Sequence, residues 1–367
     1  MKDPRMTKTS VSILALLTAM SVLPAAAAQA AESFQVYVSN ERSNDVTVID
    51  GATFKPVATF AVGKRPRGIH ASPDGKTVYV ALSGTPIEGP PELDANGNPV
   101  FKRDAAKGKD DDDDDVKADK AADGVGVIDV ATRKLVKKIN VGSDPEEFDL
   151  SPDGKSLYVS NEDVKTASAI NIATAKVAHI VPLSQEPEGV AVTPDGKRLY
   201  VTCETGGDIF VVDLATFKVV GHTKVGQRPR SVAFVQGGKL AIVPSESAGM
   251  LYVIDTAKIE IVKTIPLPKG ARPMRLRVSK DGAKLYASTG RAGTVAVLDT
   301  ANFAVLDSIK VGQRPWGIAL SPDGKYLFSA NGPSNDVSVV DLATGKEITR
   351  VKAGASPWGV AVVKTGG

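Results

Sequence analysis

Few residues in this sequence have the types and spacing that chemistry needs, and they fall in three short apolar segments. His70 lies in the first, and Glu147 and Asp149 alternate with apolar residues in the second. Arg275 and Arg277 alternate in the same way in the third. An imidazole and a carboxylate can act as an acid–base pair, here His70 with Asp149. The arginines favour an anion or, with the carboxylates, a zwitterion. The alternative is internal ion pairing, because buried charges need partners.

Other kinds of site chemistry lack their residues. The single cysteine, Cys203, excludes a disulfide framework, a cysteine-rich zinc site and a CxxCH haem attachment. The three histidines, His70, His179 and His222, are too few for a histidine-based metal centre. The sequence has no GxSxG elbow, P-loop or dinucleotide fingerprint. We therefore expect neither metal nor cofactor, and we interpret Cys203 as a packed residue rather than a reactive thiol.

Composition and the N-terminus predict a globular, exported protein. The 367 residues are 42% hydrophobic and 24% charged, and the formal charge of +3 argues against a nucleic-acid-binding surface. Basic residues precede an apolar run over residues 11–23, and Ala28-Gln29-Ala30 fits a small-x-small cleavage site. We predict a signal peptide over residues 1–30, a periplasmic product and no membrane span after cleavage.

A repeat of about 42 residues organises the rest of the chain. A Val/Ile-Asp marker recurs at spacings of 79, 42, 42, 42, 44 and 42 residues, which gives seven copies. The first spacing is one repeat of 42 residues plus an insertion of 37 residues. Each copy has the pattern of four short strands, without a helical period. Ser-Pro-Asp-Gly-Lys turns and their variants begin at Ser72, Ser151, Thr193, Gln236, Ser279 and Ser321. The sequence therefore predicts an all-β, seven-bladed β-propeller of four-stranded blades.

Both ends of the repeat region fit circular closure. Residues 34–39 correspond to the second strand of a repeat, and residues 359–363 correspond to a first strand. We predict that the C-terminal strand completes the N-terminal blade, which removes free sheet edges, and that residues 31–367 form one domain. Residues 83–123 form a charged insertion with an unbroken aspartate run over 110–115, and we expect it to be disordered.

Three strands carry a motif of a known family. Tyr37-Val-Ser-Asn40, Tyr158-Val-Ser-Asn161 and Tyr200-Val-Thr-Cys203 resemble the YVTN family of WD40-like β-propeller repeats. The resemblance covers residues 34–363 apart from the insertion, and it implies the same fold. The run Arg314-Pro-Trp-Gly317 also resembles exported propellers encoded beside PQQ-dependent alcohol-oxidation systems. That resemblance implies an accessory role beside a periplasmic oxidation system.

Seven prolines mark where the first strands would enter the propeller channel, and their neighbours define a candidate binding mouth. Two consecutive blades are acidic there, the next is basic and the last two carry tryptophan. This pattern indicates a polarised pocket with an exposed tryptophan pair, since aromatic and arginine side chains anchor interfaces. The alternative is a rim of solvated charges. The predicted residues for a ligand or partner are Arg67, His70, Glu146, Glu147, Asp149, Glu188, Arg230, Arg275, Arg277, Arg314, Trp316 and Trp358.

Three functions remain open at this stage. The absence of a catalytic set favours a monomeric docking module that binds a protein or a small polar ligand, and no nucleic-acid partner is expected. An enzyme of lactonase or lyase type would use His70, Glu147 and Asp149 near the channel, since similar propellers host both activities. The third function is that of a structural surface-layer component, and it is favoured only because the YVTN family includes surface-layer proteins.

Overall fold

The computed structural model describes residues 1, 33–87, 92–93, 99–100 and 117–365, and its strands form seven antiparallel four-stranded sheets. The predicted seven-bladed propeller is thereby confirmed. The predicted signal peptide and the aspartate run of the insertion lie outside the described residues. Within those ranges, no helix has both the length and the apolarity to cross a membrane.

Each four-stranded sheet is one blade whose first strand lines the channel. The first strands are β4 (Ile69–Ala71), β10 (Pro145–Leu150), β14 (Pro187–Val192), β18 (Ala233–Val235), β22 (Leu276–Val278), β26 (Pro315–Leu320) and β30 (Pro357–Lys364). The second strands are β1 (Phe34–Asn40), β5 (Thr77–Leu82), β11 (Ser156–Asn161), β15 (Arg198–Cys203), β19 (Leu240–Ser245), β23 (Lys284–Ser288) and β27 (Tyr326–Asn331). The third strands are β2 (Asp45–Asp50), β8 (Gly124–Asp129), β12 (Thr166–Asn171), β16 (Asp208–Asp213), β20 (Met250–Asp255), β24 (Thr294–Asp299) and β28 (Asp336–Asp341). The outer strands are β3 (Pro56–Ala61), β9 (Lys134–Ile139), β13 (Lys176–Pro182), β17 (Lys218–Lys224), β21 (Glu260–Pro266), β25 (Val305–Lys310) and β29 (Lys346–Lys352).

The blades follow chain order around the ring. Blade 1 is β30-β1-β2-β3, blade 2 is β4-β5-β8-β9, and blades 3 to 7 each take four consecutive strands from β10 to β29. Two short strands, β6 (Glu92–Leu93) and β7 (Pro99–Val100), pair with each other. Two 3-10 turns lie at Gln236–Gly238 and Gly290–Ala292.

The Ser-Pro-Asp-Gly turns form because their side chains complete the turn locally. In blade 2, Ser72 Oγ donates to Asp74 Oδ1 at 2.5 Å, and Lys76 N donates to the same oxygen at 3.1 Å. Gly75 has φ of 68°, a left-handed conformation that glycine adopts without steric cost. Each such turn joins a first strand to a second strand, so it fixes the pair that carries the channel-facing residues.

The hydrophobic core consists of layers between neighbouring blades. Val46 and Val48 of blade 1, for example, pack with Val78 and Val80 of blade 2. The described residues contain seven such clusters, one for each pair of adjacent blades. Since no blade buries both faces alone, the ring is stable only when it is closed.

The predicted closure of the ring is confirmed. β30 pairs antiparallel with β1 in register Val36↔Val362 and Val38↔Val360. Gly359 N also donates to Ser39 Oγ at 2.9 Å. The last strand of the chain therefore supplies the innermost strand of blade 1.

The insertion leaves blade 2 between its second and third strands, as predicted. Its described ends hydrogen-bond to each other, with Gly84 N donating to Asp123 Oδ1 at 2.7 Å. Asp119 also contacts the propeller, through an ion pair with Lys64 at 2.8 Å. The Lys64 and Asp119 side chains are 57% and 43% exposed, so this pair adds little to stability.

Replacing residues 88–116 by a short Gly-Ser linker is expected to leave the melting temperature nearly unchanged. The deletion keeps the described ends of the insertion, which hydrogen-bond to each other and to the propeller. The length of the loop between them has little effect on the entropy of loop closure. Differential scanning calorimetry of the parent and the shortened protein measures the difference. A fall of several degrees would show that the removed segment stabilises the propeller.

Candidate functional site

The mouth of the channel lies where the first strands begin. The residue that follows a second strand hydrogen-bonds to the turn before the neighbouring first strand, as Glu162 N does to Asp144 O at 3.0 Å. First-strand entries and second-strand ends therefore share one face, as predicted. In six blades the residue before the entry proline has a positive φ, namely Arg65, Asp144, Glu186, Arg228, Arg314 and Ser356. A positive φ is uncommon in residues other than glycine. Because it recurs at the same position in six blades, it is a feature of the entry turn itself.

Arg67 organises the first of two buried ion clusters at the mouth. Its guanidinium donates to Asp144 and to the Pro145 carbonyl, the latter with an Nη2···O distance of 2.9 Å. It also pairs with Glu146 of blade 3. Arg67 is 3% exposed and Glu146 is 6% exposed. These two predicted mouth residues are therefore brought together, and their charges are satisfied inside the protein instead of forming a solvated rim.

Arg230 organises the second cluster. Its guanidinium pairs with Glu188 and Glu204 of blade 4 and with Glu246 of blade 5, where Nε lies 2.7 Å from Oε2. Arg228 pairs with Glu204 and Glu246 at 2.8 and 3.1 Å, but its side chain is 47% exposed. One buried guanidinium thus joins three carboxyl groups from two blades.

Protonation balances the charge of these clusters. Burial and nearby carboxylates raise the pKa of Glu162 to about 9. Burial also raises the pKa of Glu188 well above its usual range, against the opposing effect of Arg230. Burial acts on Glu246 in the same direction, but Arg230 and Arg228 outweigh it and hold the pKa of Glu246 at about 2. At neutral pH, Glu162 is therefore a neutral acid, and Glu246 is a carboxylate.

Trp316 and Trp358 stack on each other among three arginines. Their ring centroids lie 5.4 Å apart with the planes inclined by 37°. The guanidinium carbons of Arg314 and Arg230 lie 5.0 and 5.4 Å from the Trp316 ring. The prediction of an exposed tryptophan pair is wrong for Trp358, which is 6% exposed because Trp316 and Arg275 pack against it. Trp316 is half-buried, so it is the indole that the mouth presents.

Beyond the mouth, the channel narrows to a neck. The first channel-facing position after the mouth is glycine in four blades and serine in one, and a Cβ added to Gly317 would lie 2.9 Å from Gly359 Cα. The other two blades carry Glu147 and Arg275, which form an ion pair across the channel. Glu147 is 1% exposed, and its Oε1 lies 2.7 Å from His70 Nε2. These three side chains are called the neck, and they bridge the channel.

The predicted pairing of His70 with Asp149 is replaced by pairing with Glu147. The longer glutamate side chain crosses from blade 3 to the imidazole in blade 2. Burial lowers the pKa of His70 to about 3 against the opposing effect of the Asp149 carboxylate, and Arg277 and Arg275 act in the same direction as burial. The imidazole is therefore neutral, and its Nε2–H donates to Glu147, because a carboxylate can only accept. The predicted internal ion pairing is thus realised at this level.

The level of the channel two residues further along the first strands is called the chamber. Asp149 and Arg277 face it together with His70, and each of these residues is half-buried. The other four channel-facing positions at this level are Ala191, Ala233, Ala319 and Ala361. Because the first strands run from the mouth to the Ser-Pro-Asp-Gly turns, the chamber lies on the turn side of the neck. The predicted site residues are therefore divided between the two sides of the neck.

Several mouth residues were missed by reasoning from the first strands. Glu162, Glu204 and Glu246 each follow the last residue of a second strand, as Glu41 does in blade 1. Aligning the seven copies of the repeat shows these glutamates at one shared position. That position indicates a mouth residue only when the ends of the second strands are known to lie beside the entry turns.

The remaining candidates for chemistry are structural. Cys203 is buried, and burial raises the pKa of its thiol to about 12, so the thiol stays protonated. His179 and His222 are exposed on outer strands, as expected. No group of three or more histidine, cysteine or acidic residues in the described part of the chain has the geometry to hold a metal ion.

Comparison with known proteins is consistent with this architecture. A profile of the YNCE-like beta-propeller family matches residues 104–239. The chain is similar to Antigen Lp49 of Leptospira interrogans, with 33% identity over 138 residues, which are 34% of this chain and 30% of that antigen. The match thus spans less than a third of the antigen's length.

Solved structures from two other bacteria share the fold. Kuenenia stuttgartiensis hydrazine synthase gives a TM-score of 0.68 at 22% identity, over 84% of this chain and 92% of that chain. The periplasmic gluconolactonase of Pseudomonas aeruginosa gives a TM-score of 0.66 at 20% identity, over 90% of this chain and 99% of that chain. At these identities the likeness establishes the fold alone. The chain is therefore similar to YNCE-like β-propellers over residues 104–239, and its fold is a seven-bladed β-propeller.

Proposed function

We propose that this YNCE-like propeller is an exported docking module that binds a protein partner at its mouth, with Trp316 as the central contact. The observation that carries the proposal is the half-buried indole of Trp316, held between Arg230 and Arg314 and stacked on Trp358. Tryptophan and arginine are the residues most enriched at the energetic centres of interfaces.

The tryptophan is held on a rigid platform. Arg230 is 7% exposed and is fixed by three carboxyl groups. Trp358 supports the opposite side of the stack. A contact that is already ordered before binding loses little conformational entropy when the partner arrives. The platform therefore favours docking by a partner that covers Trp316.

The charge around Trp316 favours an acidic partner surface. Burial lowers the pKa of Arg314 to about 10 against the opposing effect of Glu246, and Arg230, Arg291 and Arg228 add to the shift. A further carboxylate from a partner would reduce the remaining repulsion among these arginines. The resemblance of the Arg314-Pro-Trp-Gly317 run to propellers encoded beside PQQ-dependent systems makes a periplasmic oxidoreductase the first partner to test. The charges of the neck satisfy one another, which favours binding over lactonase or lyase chemistry.

Trp316→Ala is expected to weaken binding of the partner by about 30-fold or more, because truncation of a central aromatic contact costs about 2 kcal/mol or more. The partner is first identified by photo-crosslinking from a probe placed beside Trp316, in periplasmic extract. The dissociation constant is then measured by titration calorimetry with both purified proteins.

His222→Ala is the matched control on an outer strand, where the His222 side chain is 61% exposed. It should bind the partner as the parent does, and both variants should keep the far-UV circular dichroism spectrum of the parent. Unchanged affinity in Trp316→Ala would remove the mouth from the proposal.

A further inference from the structure

The chamber contains two opposite charges that face each other without meeting. At the neck, Glu147 of blade 3 reaches Arg275 of blade 6 across the channel. Two residues further along the same strands are Asp149 and Arg277, which again face the channel because strand side chains alternate. Among the described residues, no ion pair within 4.0 Å joins Asp149 to Arg277. Aspartate is one methylene shorter than glutamate, so a gap remains where the neck has a bridge.

Hydrogen bonds to nearby backbone groups hold each of the two charged side chains in place. The two carboxylate oxygens of Asp149 accept from Leu150 N and Val192 N, both at 2.9 Å. Arg277 Nη1 donates to Leu276 O at 3.1 Å. These contacts use one acceptor direction on each oxygen of Asp149 and one of the five N–H donors of Arg277. Both groups therefore keep hydrogen-bonding capacity that these backbone contacts do not use.

Small residues flank these charges at the same level of the channel. The other four positions are alanines, all buried, and Ala233, Ala319 and Ala361 belong to the core layers between blades, so none of them extends a long side chain between Asp149 and Arg277. His70 adds a neutral imidazole whose Nε2 is occupied by Glu147, which leaves Nδ1 as an acceptor. The chamber therefore offers a cation on one side, an anion on the other and apolar walls between them.

We propose that the chamber binds a small zwitterion, with its carboxylate on Arg277 and its ammonium group on Asp149. A guanidinium forms paired hydrogen bonds with a carboxylate, and a carboxylate accepts from an ammonium group, so both ends of such a ligand are charge-assisted. A ligand with one charge would satisfy one side and leave the other without its partner. Free amino acids and short ω-amino acids have the required chemistry. This site lies on the other side of the neck from Trp316, so it is independent of docking at the mouth.

A series of zwitterions of increasing length measures the gap. Glycine, β-alanine and 4-aminobutanoate are titrated into the protein by calorimetry, and the melting temperature is followed in parallel, with zwitterionic buffers avoided. At 100 times the dissociation constant, the fitting ligand should raise the melting temperature by about 2 °C or more. Acetate and methylammonium at the same concentration should have no comparable effect. If no zwitterion binds, or if acetate binds as tightly as the best zwitterion, the proposal is wrong.

Variants on the two sides of the chamber assign the site. Arg277→Gln and Asp149→Asn should each reduce affinity by about tenfold or more, because each removes one charge-assisted contact. Trp316→Ala should bind the zwitterion as the parent does, and this separates the chamber from the proposed docking function. Parent-like affinity in both chamber variants would place the ligand elsewhere.

Asp149→Glu tests the gap itself and does not depend on a loss of folding. The longer side chain should reach Arg277, as Glu147 reaches Arg275, and form the missing bridge. The variant should therefore melt at or above the parent temperature and no longer respond to the zwitterion. A stable Asp149→Glu protein that still binds with parent affinity would contradict the proposed geometry.

Discussion

Deleting residues 357–367, which removes β30, is expected to leave the protein insoluble. β1 would lose its partner along the whole register from Phe34↔Lys364 to Asn40↔Pro357. Val360 would also leave the core layer between blades 7 and 1. A long unpaired strand edge in an opened ring favours aggregation. The soluble fraction after expression and the cooperativity of thermal unfolding are the quantities to measure.

Two further proteins make this test specific. Deleting only residues 365–367, past the end of β30, should leave solubility and melting temperature unchanged. A permuted chain that carries residues 357–364 ahead of residue 33 through a short linker should fold again, because β30 and β1 are antiparallel neighbours. Recovery of a soluble, cooperatively unfolding protein from the truncated chain alone would contradict the role of closure.

Arg230→Met is expected to destabilise the protein by about 3–5 kcal/mol, the usual cost of removing one partner from a buried ion pair. The change leaves Glu188, Glu204 and Glu246 together without their shared guanidinium, while a similar side-chain volume is kept. Chemical denaturation at pH 7 measures the loss. Arg228→Met is the matched control, because Arg228 pairs with two of the same carboxylates but is 47% exposed. It should cost only about 0–1 kcal/mol.

The destabilisation by Arg230→Met should also depend on pH. In the parent, burial is outweighed by Arg230 and Arg228, so the pKa of Glu246 is about 2, below its value in the unfolded chain. The resulting stabilisation is present above the unfolded pKa and is lost as the pH falls toward 2. The parent and the variant should therefore converge in stability over this acidic range. A difference that is constant with pH would show that the variant loses packing rather than charge pairing.

The fold could be predicted because its signals are local and repeated. The turn that begins at Ser72 and its counterparts each contain their own hydrogen-bonding groups, so seven similar strand patterns follow without knowledge of the ring. Closure by the last strand could be predicted because residue 34 begins at the second strand of a repeat and residue 359 begins a first strand. Both inferences depend on residues that are close in sequence or equivalent in the repeat.

The pairing within the site could not be predicted in the same way. Arg67 finds Glu146 in the next blade, and Glu147 finds Arg275 in a blade across the channel. Which charges meet depends on side-chain length and on the width of the channel at each level. His70 hydrogen-bonds to Glu147, whereas the Asp149 carboxylate accepts from Leu150 N and Val192 N. The burial of Trp358 likewise depends on Trp316 and Arg275, which the repeat pattern does not place against it.

The pairing of β1 with β30 also sets an order of events during synthesis. Ser39 and Gly359, which hydrogen-bond in the finished protein, are separated by 320 positions, and a chain grows from its N-terminus. Blades 2 to 7 each consist of consecutive segments and can assemble as they emerge, whereas blade 1 must wait with an open edge until the final strand arrives. Contacts over so long a separation form slowly, and unpaired edges are where misassembly begins. The chain is therefore most prone to misassembly between the synthesis of blade 1 and the synthesis of β30.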